Sequence, residues 1–184
     1  MSAKSFPTWD KFEARTERYM TNEPGLARPT LCSWHRSLAR CLGAGTERSP
    51  ISKEALRSAF GLPEADAFSF ALSFESNQYE CGEGFKTVSD YADCLEEVRN
   101  CDKSEVDAAV QGCTQGRTTE VRNIKGAQRE CSAERIANEC LYRFGVMKCG
   151  KAVEKYYCKM QEFVSRRRIF EGAAQCPEPF QCEL

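Results

Sequence analysis

The chain has 184 residues, 29% charged and 41% hydrophobic with cysteine counted, and a formal net charge of -1. That balance provides no global field to draw in nucleic acid or a membrane surface, and no run of 18 apolar residues spans a bilayer. Eleven Phe, six Tyr, two Trp and twelve Cys supply core material and exclude a disordered chain, while a single histidine excludes multi-histidine metal sites.

Helical periodicity runs through most of the sequence. Pro7 opens a first helix whose Trp9, Phe12, Thr16, Tyr19 and Met20 share one face. Asn22-Glu23-Pro24-Gly25 ends it, and Pro29 closes the following loop. Thr30 is placed to cap a second helix carrying Leu31, Trp34, Leu38, Cys41 and Leu42 on one side, stopped by Gly43 and Gly45. Ser52 caps a short helix through Phe60, broken by Gly61-Leu62-Pro63.

At 68–74 the pattern changes. Phe68, Phe70, Leu72 and Phe74 alternate with Ser69, Ala71 and Ser73, which is a strand period. No second strand of similar quality exists to take its backbone hydrogen bonds, so a helix with phenylalanines on more than one face is expected. Beyond Gly82 and Gly84, Phe85, Val88, Tyr91, Ala92, Leu95 and Val98 recur at threes and fours as one helix. Ser104 and Asp107 resemble a capping box ahead of Val106, Ala109 and Val110. After Gln115-Gly116, Thr118 or Thr119 opens a weaker helix with Val121 and Ile124.

Ser132 caps the next helix, with Ile136, Cys140, Leu141 and Phe144 facing inward and Gly145 ending it. The last helix carries Val153, Tyr156, Tyr157, Met160, Phe163 and Val164 and finishes in Arg166-Arg167-Arg168, where the macrodipole favours cations. From Glu171 the tail, with Pro177 and Pro179, is expected to be extended and tied down by Cys176 and Cys182. The expected fold is all-α, a disulfide-stapled bundle of seven to eight short helices. It is read as a single domain over 1–184, with N-terminal helices at 1–63, a main helical core at 64–170 and a tail at 171–184.

The twelve cysteines stand at Cys32, Cys41, Cys81, Cys94, Cys101, Cys113, Cys131, Cys140, Cys149, Cys158, Cys176 and Cys182. No two are close enough for a CxxC, which removes zinc ribbons, thioredoxin-type motifs and iron–sulfur spacings. An even, dispersed set reads as six disulfides formed in an oxidising compartment, with the pairing left open by sequence. Cys131, Cys140, Cys149 and Cys158 recur every nine residues. Nine residues are two and a half helical turns, so neighbours in the series point to opposite sides and bond elsewhere. The first residues contain no apolar signal core, so a secreted, extracellular protein with its signal peptide removed is expected.

No GxSxG, HExxH, P-loop or GxGxxG occurs. His35, in Leu31-Cys32-Ser33-Trp34-His35-Arg36, is the one candidate general base of the usual kind. Cys32-x-x-His35 resembles the catalytic helix of secreted phospholipases A2, but Arg36 stands where that pattern holds a calcium-binding aspartate. The histidine is therefore expected on a helix surface or packed against Trp34. No enzyme, no cofactor and no metal site is expected.

Charge is segregated along the chain. Residues 64–114 hold 12 acids and 3 bases, whereas residues 115–168 hold 13 bases and 6 acids. Two readings follow: a basic surface for an anionic partner, or acidic and basic helices that neutralise each other side by side. The basic segment interleaves no aromatic stacking platform, so nucleic acid is not an expected partner.

Cys81-x3-Phe85, Cys94-x6-Cys101, Cys113, Cys140, Cys149-Gly150, Cys158 and the terminal Phe163 to Phe170 resemble, over residues 79–176, the secreted helical cysteine-rich domains abundant in nematodes. That resemblance implies a secreted helical domain and carries over no site residue, since those families are mostly of unknown function. Insect odorant-binding proteins include a subgroup with twelve helical cysteines, but their C-x3-C is absent here.

The expected function is non-catalytic recognition of an extracellular protein or receptor, host factors included, with an anionic glycan as a further partner. The surface singled out is Arg166, Arg167 and Arg168. The alternative is a carrier of a small hydrophobic ligand such as a lipid, with Phe68, Phe70 and Phe74 lining a cavity in place of packing a core.

Overall fold

The structure, a computed structural model, describes residues 6–23, 27–41, 51–117, 119, 122, 124–170, 176, 177 and 179–182. Among them are nine α-helices, eight of seven residues or more, and no strand. Chain contacts fall into two compact units, Met1–Phe85 and Lys86–Leu184. The expected subdivision at residue 63 lies inside the first unit, between two helices that pack on each other.

The first unit contains α1 (Trp9–Asn22), α2 (Ala27–Cys41), α3 (Lys53–Phe60) and α4 (Glu64–Cys81). α4 is the element on which α1, α2 and α3 all pack. That is why its apolar residues alternate. Ala67, Ser69, Ala71, Leu72 and Phe74 are all buried although they fall on different sides of the helix. The strand-like period at 68–74 thus belongs to a helix covered on several faces, as expected. Leu56, Leu62, Ala67 and Ala71 form the core, closed by Ile51 and Phe70.

Local signals account for α3. The Ser52 hydroxyl accepts from the Ala55 amide at 3.1 Å, and Gly61 takes the left-handed conformation (φ 64°) that ends the helix. A disulfide between Cys32 and Cys81 joins α2 to the end of α4, and Arg28 pairs with Glu80 at 2.7 Å beside it.

The second unit contains α5 (Phe85–Asp90, which starts on the last residue of the first unit), α6 (Ala92–Arg99), α7 (Lys103–Gly116), α8 (Ala127–Cys149), a 3-10 turn (Lys151–Val153) and α9 (Glu154–Phe170). α8 is its centre and packs on α6, α7 and α9. Cys94 of α6 bonds Cys149, Cys113 of α7 bonds Cys140, and Cys131 bonds Cys176 of the tail. A further bridge, Cys158–Cys182, holds the tail to α9. The three α8 cysteines go to three different elements; Cys140 is half a turn out of phase with Cys131 and Cys149 and so faces the opposite side of the helix. Phe180 is buried, its amide donating to the Ser165 hydroxyl at 2.8 Å, and the Cys182 amide donates to Glu162 Oε1 at 3.1 Å. The tail therefore docks by both sulfur and hydrogen bonds.

Several boundaries differ from the sequence reading. Pro29 sits in the first turn of α2, where a missing amide hydrogen costs nothing, and does not close a loop. The side of α2 that is buried carries Cys32; Trp34 and Leu38 are 57% and 46% exposed, because α4 packs on the flank that carries the disulfide. The helix expected from Phe85 to Val98 is two, since Tyr91 leaves helical geometry (φ -119°, ψ 21°). Each piece buries one side chain, Val88 or Leu95, so apolar spacing continues while the chain changes direction.

The cap of α7 is Asp102, which accepts from the Ser104 amide at 2.8 Å, and not Ser104. Ser132 lies inside α8, and Gly145 does not end it; Gly150 does, at φ 85°. A Cβ at Gly145 would lie 2.6 Å from the Tyr157 ring, so this glycine admits α9 to close approach. Leu42, Gly43, Gly45, Glu171 and most of the helix expected near Thr118–Val121 lie outside the described residues.

Ten of the twelve cysteines pair. Cys41 and Cys101 form no disulfide, which corrects the expectation of six bridges. The reason is arithmetic: three cysteines fall in the first unit and nine in the second, so pairing within each leaves one over.

Candidate functional site

Among the described residues no group of three or more His, Cys, Asp or Glu is arranged to hold a metal ion, and no helix is long and apolar enough to cross a membrane. His35 is half-buried, its ring 4.5 Å from that of Phe74, where the sequence offered a helix surface or packing against Trp34. Burial, and then the neighbouring Arg36 charge, hold its pKa below the ordinary 6.5. Trp34 stacks instead on Tyr19 at 5.4 Å. Phe70 and Phe74 lie one turn apart on α4. Phe70 meets Phe6, Trp9 and Phe12 at 5.0–5.2 Å, while Phe74 covers His35. Phe68 is on the other side of the helix, a 200° rotation from Phe70. Both Phe70 and Phe74 are thus spent on packing between helices.

The arginine triplet lies near the end of α9, with Arg167 and Arg168 in its last turn. α8 and α9 form a helical hairpin about Gly150, so the end of α9 lies beside the start of α8. Two observations fix that register: Arg168 reaches Glu134 at 3.2 Å, and Gly145 faces Tyr157. Glu134 is buried and also accepts from Asn138 Nδ2 at 2.9 Å, so Arg168 is anchored. Arg166 lies over the Phe163 ring at 6.0 Å. All three arginines are half-buried.

The hairpin brings to this triplet a set of cations that sequence reading did not single out. Arg129 and Arg135 lie in the first turns of α8, and Arg122 and Lys125 lie just before it. All four are exposed, and none makes an ion pair with the described residues. Residues 122–135 and 166–168 together hold seven bases and two acids, Glu130 and Glu134. The tally over 115–168 contains these residues, but 31 positions separate Arg135 from Arg166, and only the antiparallel pairing of α8 and α9 joins them.

The rest of the basic segment is largely neutralised. Arg117 and Arg143 share Glu139, the latter at 2.6 Å, and Lys148 meets Glu105 at 2.5 Å. Burial works against ionisation of Glu139, yet the two guanidiniums prevail and hold its pKa below the usual carboxylate value. Of these pairs, Lys148–Glu105 links the basic segment to the acidic one; Glu139 and Glu134 come from the basic segment itself. Among the described residues, charge is therefore cancelled along the middle and far end of α8 and left standing at its start. Comparison of the chain with protein-family models, curated proteins and solved structures finds no match.

Proposed function

We propose that this chain is a secreted, non-catalytic binding protein that recognises an anionic extracellular partner, a receptor or other extracellular protein, host factors included. The working surface is the basic end of the α8–α9 hairpin. The observation that carries the reading is the convergence there of Arg166, Arg167 and Arg168 with the exposed Arg122, Lys125, Arg129 and Arg135. Five disulfides support an oxidising compartment. They also stiffen short helices that are marginal alone, so cations on them are presented at low entropic cost.

The test is binding of the labelled protein to cell surfaces. Arg166→Glu with Arg167→Glu, leaving Arg168 on Glu134 to preserve the fold, should reduce binding at least ~10-fold, about 1.4 kcal/mol. Unchanged binding with an unchanged helical spectrum refutes this placement.

A second reading, carriage of a small apolar ligand, draws on the first unit, where Phe6, Phe12 and Phe60 are 36%, 38% and 54% exposed beside Trp9 and Phe70. Those rings already fill one another's contacts at 4.6–5.7 Å, which favours packing. Co-purifying lipid in native mass spectrometry would reverse that preference.

A further inference from the structure

We infer that the anion met by this basic end is a sulfated glycan chain carried by the extracellular partner and not an acidic face of its protein; the inference rests on the function proposed above. Three features of the surface point that way. First, six of its seven cations are arginine. A guanidinium presents paired donors that match two oxygens of one sulfate, which an ammonium does not; they match a carboxylate as well, so this feature selects an oxyanion and the next two select the glycan.

Second, the cations are spread out. Arg129 and Arg135 stand six residues apart on α8, ~9 Å along the axis and about 120° around it, with Arg122 and Lys125 leading into the helix and the α9 triplet beside it. A small single anion meets one or two such groups. A chain with a sulfate on successive sugars meets most of them.

Third, among the described residues of this surface no aromatic side chain is fully exposed. Protein interfaces concentrate their energy in a few buried aromatic or arginine contacts set in an apolar centre. In the second unit the exposed large apolar side chains among the described residues are Met147 and Val164. Met147 is at the far end of α8, so Val164 alone is near. The exposed aromatic rings among the described residues belong to the first unit. A hydrophilic polyanion needs no such centre, whereas an acidic protein face does.

The experiment titrates the full chain with three probes at physiological ionic strength: a heparin-derived octasaccharide, the same octasaccharide chemically desulfated, and poly-L-glutamate of similar length. The octasaccharide should bind at least ~10-fold tighter than either of the others, and its affinity should fall with added salt as surface charge is screened. The combined R122E, R129E and R135E variant should weaken octasaccharide binding at least ~10-fold. K11E with R15E, on exposed positions of the first unit, should leave it unchanged. Should the triple variant lose its helical spectrum, R122E and R129E are read singly, each with a smaller loss in the same direction.

Poly-glutamate binding as tight as the octasaccharide overturns the glycan inference and leaves the anionic-partner reading intact. Binding to none of the probes overturns it too, and the Arg166/Arg167 reversal at the cell surface then decides the broader reading separately. Equal loss from the first-unit control means that bulk charge, not this surface, is responsible, and overturns both.

Discussion

Gly145→Ala tests whether the α8–α9 hairpin depends on backbone-to-ring contact. Two opposing effects set the magnitude. Alanine inside a helix gains about 1 kcal/mol over glycine from backbone entropy. Against that, the new methyl would sit 2.6 Å from three carbons of the Tyr157 ring, where ordinary contact begins at 3.4 Å. The ring must move by nearly an ångström. It leads into the buried Tyr156 and Cys158, so the backbone beneath it is held. Overpacking of this kind costs about 1–3 kcal/mol, which leaves a net loss of ~1 kcal/mol. Urea unfolding followed by circular dichroism measures it. In a Tyr157→Ala background the clash is gone, and the same substitution should stabilise by about 1 kcal/mol, giving a coupling of ~2 kcal/mol. A stabilised single variant with coupling near zero would show that the ring swings aside freely, and the close-approach role of Gly145 would be wrong.

Replacing Cys32 and Cys81 by serine opens a loop of 49 residues in the first unit, for which the chain-entropy relation gives a loss of ~4 kcal/mol; an unchanged urea midpoint refutes the tie. Thiol titration of denatured, unreduced protein should find two reactive groups, Cys41 and Cys101, and a count of twelve would remove the disulfide architecture altogether. His35 has a folded-state pKa below 6.5, so the unfolded chain takes up its proton first and the first unit should lose stability as pH falls below that value. His35→Phe should flatten the melting temperature between pH 7.5 and 5.5 (an unaltered slope speaks against burial on Phe74). Glu139 is also held low, here by its two guanidiniums: its contribution is present above the ordinary carboxylate pKa and lost as pH falls through the lowered one. Glu139→Gln should cost ~1 kcal/mol at pH 7, discounted for the exposed Arg143, and converge with the wild type in acid; equal gaps at both pH values would contradict the pairing.

The proposed site was only half legible before folding. Arg166, Arg167 and Arg168 announce themselves as a run, and a helix C-terminus is where such a run belongs. Their setting was hidden. Arg168 is an anchor on Glu134, and the exposed cations that extend the surface come from the other arm of the hairpin. The segmental charge tally pointed to the right stretch of chain, but it could not separate Arg143, neutralised on Glu139, from Arg135, which makes no ion pair with the described residues.

Periodicity, caps and cysteine spacing were enough to establish an all-helical, disulfide-bonded chain, the Ser52–Gly61 helix and the buried Ile136, Cys140 and Phe144, because each depends on residues within a few turns of one another. They misjudged Gly145, Pro29, the break at Tyr91 and the outward turn of Trp34 and Leu38. In those places the outcome depends on what a distant helix brings alongside. A glycine that stops a helix and one that admits a neighbouring ring have the same local sequence, and an apolar stripe is buried only where another element arrives to cover it. Which cysteines pair, and which two are left over, follows from how the chain divides into units, a property of contacts between residues far apart in sequence.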